Sequence, residues 1–310
     1  MSQDHYRDLL QRCAGLAAVP TIVVHPCEAG ALRGALEAAE AGLIAPFLVG
    51  PRYKIEATAH AAGLDIRHLP LEDVAHSHAA AERGVALIRE GRGEILMKGS
   101  LHSDELLHAV AAREGGLRTE RRLSHVFAMS VPSYHKPLFV SDAAVNIFPS
   151  LDDKADICRN AIALLHVLGI KRPKIALLSA VETVTARLPS TLEAAALVVM
   201  SQRGQIDGAL LDGPLAFDNA INAEAARVKG IRSEVAGDPD MLLVPDMEAG
   251  NILAKQLIYL AGADAAGIVL GARVPIVFTS RSDNAQARIA SCALAVLLAA
   301  ARRAAPGVPA

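Results

Sequence analysis

Tryptophan is absent from the 310 residues, and four Tyr with six Phe make aromatics only 3% of the chain. That is too little for the stacked faces that hold single-stranded nucleic acid or for an aromatic cage. A surplus of one charge is missing too: 31 Lys and Arg against 33 Asp and Glu leave a formal net charge of −2. No global positive field therefore draws in nucleic acid, and a polyanionic ligand must meet a local cluster of cations. Cys13, Cys27, Cys158 and Cys292 are scattered without a Cys-x-x-Cys pair, which supports neither a disulfide framework nor a zinc site. The first residues mix both charge signs and carry no apolar stretch before a small-residue cleavage site, so no export signal is read. The apolar run 289–301 stops at Arg302 and Arg303, short of the roughly 18 residues that span a bilayer. The expectation is a cytoplasmic protein without a membrane segment. Gly91-x-Gly93 lacks the third glycine of a dinucleotide loop, and no Gly-x-x-x-x-Gly-Lys occurs. His76-Ser-His78 has no acidic or Cys neighbour and reads as a helix start, so no metal is expected.

What is present is apolar and alternating. The length corresponds to about two average domains, and 52% hydrophobic with 21% charged residues describes a globular chain. Ten short runs rich in Val, Ile and Leu read as strands, at 21–24, 46–49, 94–97, 125–129, 138–140, 174–178, 209–211, 241–244, 267–270 and 275–278. Segments of helical periodicity lie between most of them, for example Ile252, Leu253, Leu257, Ile258 and Ala261 on one predicted face. Strands apolar at every position expect cover on both faces, the mark of a parallel sheet flanked by helices. The alternation breaks across 131–137, and a domain crossing is read there. The expectation is two α/β/α domains with mainly parallel sheets and a cleft between them: domain I from 1–133 plus 272–310, domain II from 134–271.

Several strands end in a polar residue or Gly, where the next helix begins and where open parallel sheets place their ligands. Any one of these positions suits ordinary capping; their number favours a site. Two corners suit anions. Lys98, Gly99, His102 and Ser103 follow one strand, with Ser103 placed to cap the next helix. Ser280, Arg281 and Asp283 follow the last strand, where Arg281 offers a planar donor fork and Asp283 with Gln286 reads as a capping box.

Together Gly-Ser-Leu-His-Ser (99–103), Ser-Asp-Ala-Ala-Val-Asn (141–146), Asp-Gly-Pro-Leu-Ala-Phe-Asp-Asn-Ala (212–220), Val-Pro-Asp-Met-Glu-Ala-Gly-Asn (244–251) and Thr-Ser-Arg-Ser-Asp (279–283) resemble the phosphate acetyl/butyryltransferase family over nearly the whole chain. Leu-Ser-Ala-Val-Glu (178–182) leans toward the butyryltransferase-like branch. The resemblance implies reversible transfer of an acetyl or butyryl-type group between coenzyme A and inorganic phosphate, in a cleft between two α/β domains, in a homodimer. Acyl-CoA or CoA and phosphate or acyl phosphate would be the partners, with no metal and no permanently bound cofactor.

The resemblance assigns phosphoryl binding and transition-state stabilisation to Ser280 and Arg281 alone; Asp142, Asn146, Asp212, Asp246 and Asn251 are read, with the Lys98–Ser103 corner, as candidate substrate contacts. Attack by the coenzyme A thiol needs its thiolate, of which only a few per cent exists at pH 7 for a pKa of about 8.5. The carboxylate that the acetyltransferase pattern places seven residues after the Ser is Ala287 here. Asp283 is the nearby carboxylate, read as an orienting group rather than a base, and the alternative is a phosphate-assisted reaction. Two other classes remain open: an effector-binding module that holds acyl-CoA or acyl phosphate without turnover, and a dehydrogenase of related architecture, which the missing dinucleotide fingerprint disfavours.

Overall fold

The computed structural model describes residues 3–280 and 283–304. The chain opens with α1 (Gln3–Cys13), β1 (Val19–Val24), α2 (Ala29–Glu40), β2 (Ile44–Gly50), α3 (Arg52–Ala62), β3 (Leu71–Asp73), α4 (Ser77–Arg89), β4 (Ile95–Lys98) and α5 (Ser103–Ala111). It continues with β5 (Ser124–Ser130), β6 (Leu138–Ser141), α6 (Leu151–Val167), β7 (Lys174–Leu178), α7 (Pro189–Gln202), β8 (Leu210–Leu215), α8 (Phe217–Ile221), α9 (Ala223–Val228), β9 (Met241–Leu243) and α10 (Met247–Tyr259). It closes with β10 (Asp264–Leu270), β11 (Ile276–Val277) and α11 (Ala285–Ala304).

Two compact units result. The unit central in the sequence comprises Ser124–Ala265 with residues 3–5, and the unit whose segments flank it in the sequence comprises Tyr6–Leu123 with residues 266–304. Both crossings lie somewhat N-terminal to those read from the sequence, and the reason is local. β5 and β6 form an antiparallel pair, Phe127 opposite Val140 and Met129 opposite Leu138, so the break in alternation at 131–137 is a hairpin connection inside the central unit.

In the flanking unit the strand order is β3-β2-β1-β4-β11-β10, parallel except for the β10–β11 pair. β4 is buried at all four positions, and Ile22, Val23 and Val24 of β1 are fully buried, as strands covered on both faces must be. The central unit runs β5-β6-β9-β7-β8, parallel apart from β5–β6. Its core gathers Met129, Val140, Leu178, Leu242 and Val244. α6 begins at a capping box in which the Ser150 hydroxyl accepts the Asp153 N–H and the Asp153 carboxylate accepts the Ser150 N–H, satisfying donors that a helix start leaves open.

All ten predicted strands are present, and β3 is the addition: a short edge strand, Leu-Glu-Asp, half exposed and without the apolar run that marks the others. The predicted face of α10 needs correcting at two residues. Ala261 is exposed and lies beyond the helix end. Leu253, Leu257 and Ile258 pack on the core, whereas Ile252 is 59% exposed, because Gly250 and Ala254 occupy the buried stripe. α11 is also longer than the run 289–301 suggested. Its 20 residues are long and apolar enough to cross a membrane by length and composition, yet more than half of its most apolar window is buried in the fold.

Candidate active site

In the flanking unit β4 and β11 run parallel and in register, Leu96 beside Ile276 and Met97 beside Val277. The register brings both anion corners to the same end of neighbouring strands. Lys98, the last residue of β4, is 5% exposed, and its Nζ lies 5.8 Å from the centre of the Phe278 ring, a spacing suited to cation–π attraction. Gly99 is demanded by proximity: a Cβ there would stand 2.3 Å from the Val24 carbonyl oxygen and 2.5 Å from that of His25. The Gly99 and Ser100 N–H groups donate to those same oxygens at 2.8 and 2.9 Å.

Sequence reasoning passed over two residues here. The Ser100 hydroxyl donates to the His25 carbonyl at 2.8 Å, accepts the Cys27 N–H at 3.1 Å and lies 3.3 Å from His25 Nδ1. His25 directly follows β1 and lies in the left-handed region, with φ +54°, a conformation that costs a non-glycine residue energy and concentrates at functional sites. Burial lowers the His25 pKa, and the positive charge of Lys54 acts in the same direction. Both were within reach: Ser100 stands inside the 99–103 motif, and His25 follows an apolar run as the other candidates do. His102 and Ser103 are exposed at the start of α5, and His102, not Ser103, occupies the capping position, without a side-chain cap bond.

The second corner also differs from its predicted capping. Asn284 accepts the Ala287 N–H at 2.8 Å and so caps α11. Asp283 is thereby left to accept the Ser280 N–H at 2.7 Å, while its own N–H donates to the Ser280 carbonyl at 3.2 Å. Burial raises the Asp283 pKa, opposed by the Ser280 N–H and by the charges of Arg288 and Lys98. Arg281 lies outside the described residues.

The candidates of the central unit serve their own backbone. Asp142 accepts the N–H groups of His125, Ala144 and Val145 and the Asn146 amide. Its burial pushes the carboxyl pKa up while these four donors pull it down, and burial prevails. Asn251 donates to the Ala143 carbonyl at 3.1 Å and so ties α10 to the same turn. Asp246 caps α10 through the Ala249 N–H, and Asp212 accepts the Gly213 N–H. Asp142, Asn146 and Asn251 therefore form one cluster after β6; Asp212 lies within β8, and Asp246 stands at the start of α10.

His76 caps α4 and His78 lies 3.4 Å from Glu105. Among the described residues no group of three His, Cys, Asp or Glu is placed to hold a metal ion.

Comparison with known proteins relates the chain to a described family. The family model described as "Phosphate acetyl/butaryl transferase" matches residues 74–296. The chain is 60% identical to a phosphate acetyltransferase of Rhizobium meliloti, over 97% of this chain and 95% of that protein. It is 38% identical to a phosphate butyryltransferase of Clostridium acetobutylicum, over 86% of this chain and 89% of that protein. Relatives of both the acetyl and the butyryl name are thus matched, the acetyl one at the higher identity of these two. Among solved structures, a branched-chain phosphotransacylase from Enterococcus faecalis superimposes with a TM-score of 0.77 at 27% identity, covering 90% of this chain and 98% of that one. With the family model spanning most of its length and relatives alike from end to end, the chain belongs to the phosphate acetyl/butyryltransferase family.

Proposed function

We propose that acetyl is the group this acyltransferase moves between coenzyme A and inorganic phosphate, and that the corner after β4 and β11 receives the phosphoryl end. The observation that carries the site is the register of those strands, which sets buried Lys98 beside the segment leading to Ser280 and Arg281. A cation withdrawn from water interacts more strongly with a phosphoryl group than the same cation on the surface. Arg281 would add two parallel donors and Ser280 a hydroxyl.

In the transfer the thiolate sulfur of coenzyme A forms a bond to the acyl carbon, and the bond from that carbon to the bridging phosphate oxygen breaks. The electron pair stays on the departing phosphate, which takes up the proton released by the thiol. That balance needs no protein base, in keeping with Ala287 where a carboxylate would stand. Asp283 would act as the group that holds the Ser280 loop, since its carboxylate accepts the Ser280 N–H. Asp142, Asn146 and Asn251 would act by shaping the turn after β6.

A homodimer formed through the central unit is part of this reading. Phe148 at 76% exposed, Tyr259 at 69% and Leu260 at 84% lie in that unit, large apolar groups whose burial would favour association. A cytoplasmic location agrees with four reduced cysteines.

The deciding experiment offers acetyl-, propionyl- and butyryl-CoA with phosphate and follows thiol release. Acetyl-CoA should give the highest kcat/KM. Binding without turnover would return the chain to the effector-module reading, and a butyryl optimum would refute the acetyl assignment.

A further inference from the structure

Arg288 contrasts with its surroundings. The buried face of α11 is otherwise Ala, Leu, Val, Cys and Ser, and on it Arg288 is 5% exposed. A guanidinium withdrawn from water is tolerated where geometry supplies partners and opposite charge. The side chain lies against α2, where Gly30 and Gly34 leave a trough. A Cβ at position 34 would come within 2.5 Å of Arg288 Cδ, and one at position 30 within 3.3 Å of Nη1.

From that trough Arg288 Nη2 donates to the Ser280 carbonyl oxygen at 3.2 Å. The Ser280 N–H is meanwhile held by Asp283, so the backbone of Ser280 is gripped on both sides. The carbonyl that Arg288 holds belongs to the peptide group joining Ser280 to Arg281. Because a peptide group is planar, holding that oxygen fixes the orientation of the Ser280 carbonyl. The Asp283 carboxylate feels the positive charges of both Arg288 and Lys98.

We infer that Arg288 is a positioning residue for acyl transfer: seated in the Gly30/Gly34 trough, it holds the Ser280 backbone in place for phosphoryl binding. The inference rests on the reading that Ser280 and Arg281 form the phosphoryl site. Misplacing a reacting group by about 1 Å is enough to cost on the order of a hundredfold in rate, so a buried group that never touches substrate can govern kcat.

The test uses the full-length protein and reads kcat, KM for acetyl phosphate and for CoA, and the thermal midpoint. Arg288→Met keeps length and removes the donors; it should lower kcat about tenfold or more while KM for CoA stays within about twofold. Gly34→Ala leaves the guanidinium intact but displaces the side chain. Alanine is the better helix former, so its expected loss of kcat would trace to Arg288. Arg288→Ala should recover kcat severalfold in added methylguanidine. If Arg288→Met is folded, with kcat within about twofold of the parent, the inference is overturned. It is equally overturned if methylguanidine restores the thermal midpoint of Arg288→Ala without restoring kcat, since Arg288 would then be structural alone. Should Arg288→Met not fold, Gly34→Ala and the methylguanidine rescue decide. Arg281→Lys, measured alongside, separates the two readings. A parent-like rate there removes the phosphoryl site itself, whereas a slow Arg281→Lys beside a normal Arg288→Met removes this inference alone.

Discussion

Replacing Gly99 by Ala tests the strand-end corner with a single methyl group. The added carbon would stand 2.3 Å from the Val24 carbonyl oxygen and 2.5 Å from that of His25. Both obstacles are backbone, so no side chain can rotate away. Restoring ordinary contact requires the ends of β1 and β4 to part by about 1 Å, which strains the Gly99–Val24 and Ser100–His25 hydrogen bonds. Overpacking of this kind costs typically about 1–3 kcal/mol; for a unit of this size that lowers the thermal midpoint by about 2–12 °C. Displacement of Lys98 on the same scale should cut kcat by roughly ten- to a hundredfold. Gly91→Ala is the control, because Gly91 has φ +75° and open space around it; it should lose about 1 kcal/mol to backbone strain and keep its rate. Thermal unfolding and thiol-release kinetics on both variants decide the matter. Equal midpoints and equal rates for the two would refute the claim that close approach, not conformation, dictates Gly99.

Arg281→Lys retains charge and loses the donor fork, so kcat should fall about a hundredfold, roughly 3 kcal/mol, as measured by thiol release. Asp142→Ala strands three N–H groups and the Asn146 amide in a buried turn; at about 1–3 kcal/mol for each unsatisfied donor, denaturant titration should show a loss of at least about 3 kcal/mol. Burial works to raise the Asp238 pKa, but the neighbouring Lys174 and Lys136 outweigh it and bring it down from 3.8 to about 2. A carboxyl depressed in the folded state contributes stability above its unfolded pKa and loses it as pH falls through the folded value. The stability gap between the parent and Asp238→Asn, followed by urea titration, should therefore be full above about pH 4 and close toward pH 2.

The sheet was legible because its strands carry runs of consecutive apolar residues, Ile22–Val24 in β1 and Ile95–Met97 in β4; β3 was not, since a three-residue edge strand with Glu and Asp has no such run. Lys98, Gly99, Ser280 and Asp283 were singled out because they stand at or shortly after strand ends. Arg288 was harder to see. It lies eight residues beyond Ser280 and reaches back across a groove whose floor, Gly30 and Gly34, belongs to a helix far away in sequence. The buried stripe of α11 carries the clue in retrospect: Arg288 falls in step with Ser291, Ala295 and Leu298, where a charged residue is out of place. Asp142 failed differently. The sequence motif marks a polar turn, but polarity does not reveal whether a carboxylate faces a ligand or the N–H groups of its own chain.

The order of strands in the flanking unit has a consequence for synthesis. β4 ends at Lys98, yet its neighbour β11 begins at Ile276, roughly 180 residues later. At about 5–20 residues per second, the ribosome leaves that edge of β4 unpaired for roughly 10 to 35 seconds. During that interval Ile95, Leu96 and Met97 present an apolar strand edge of the kind that recruits foreign strands. The central unit can condense meanwhile, because its strands are contiguous in the chain. Fast translation, or a chaperone that shields the waiting edge, should therefore raise the soluble yield of this protein more than that of one whose strands pair in order of synthesis.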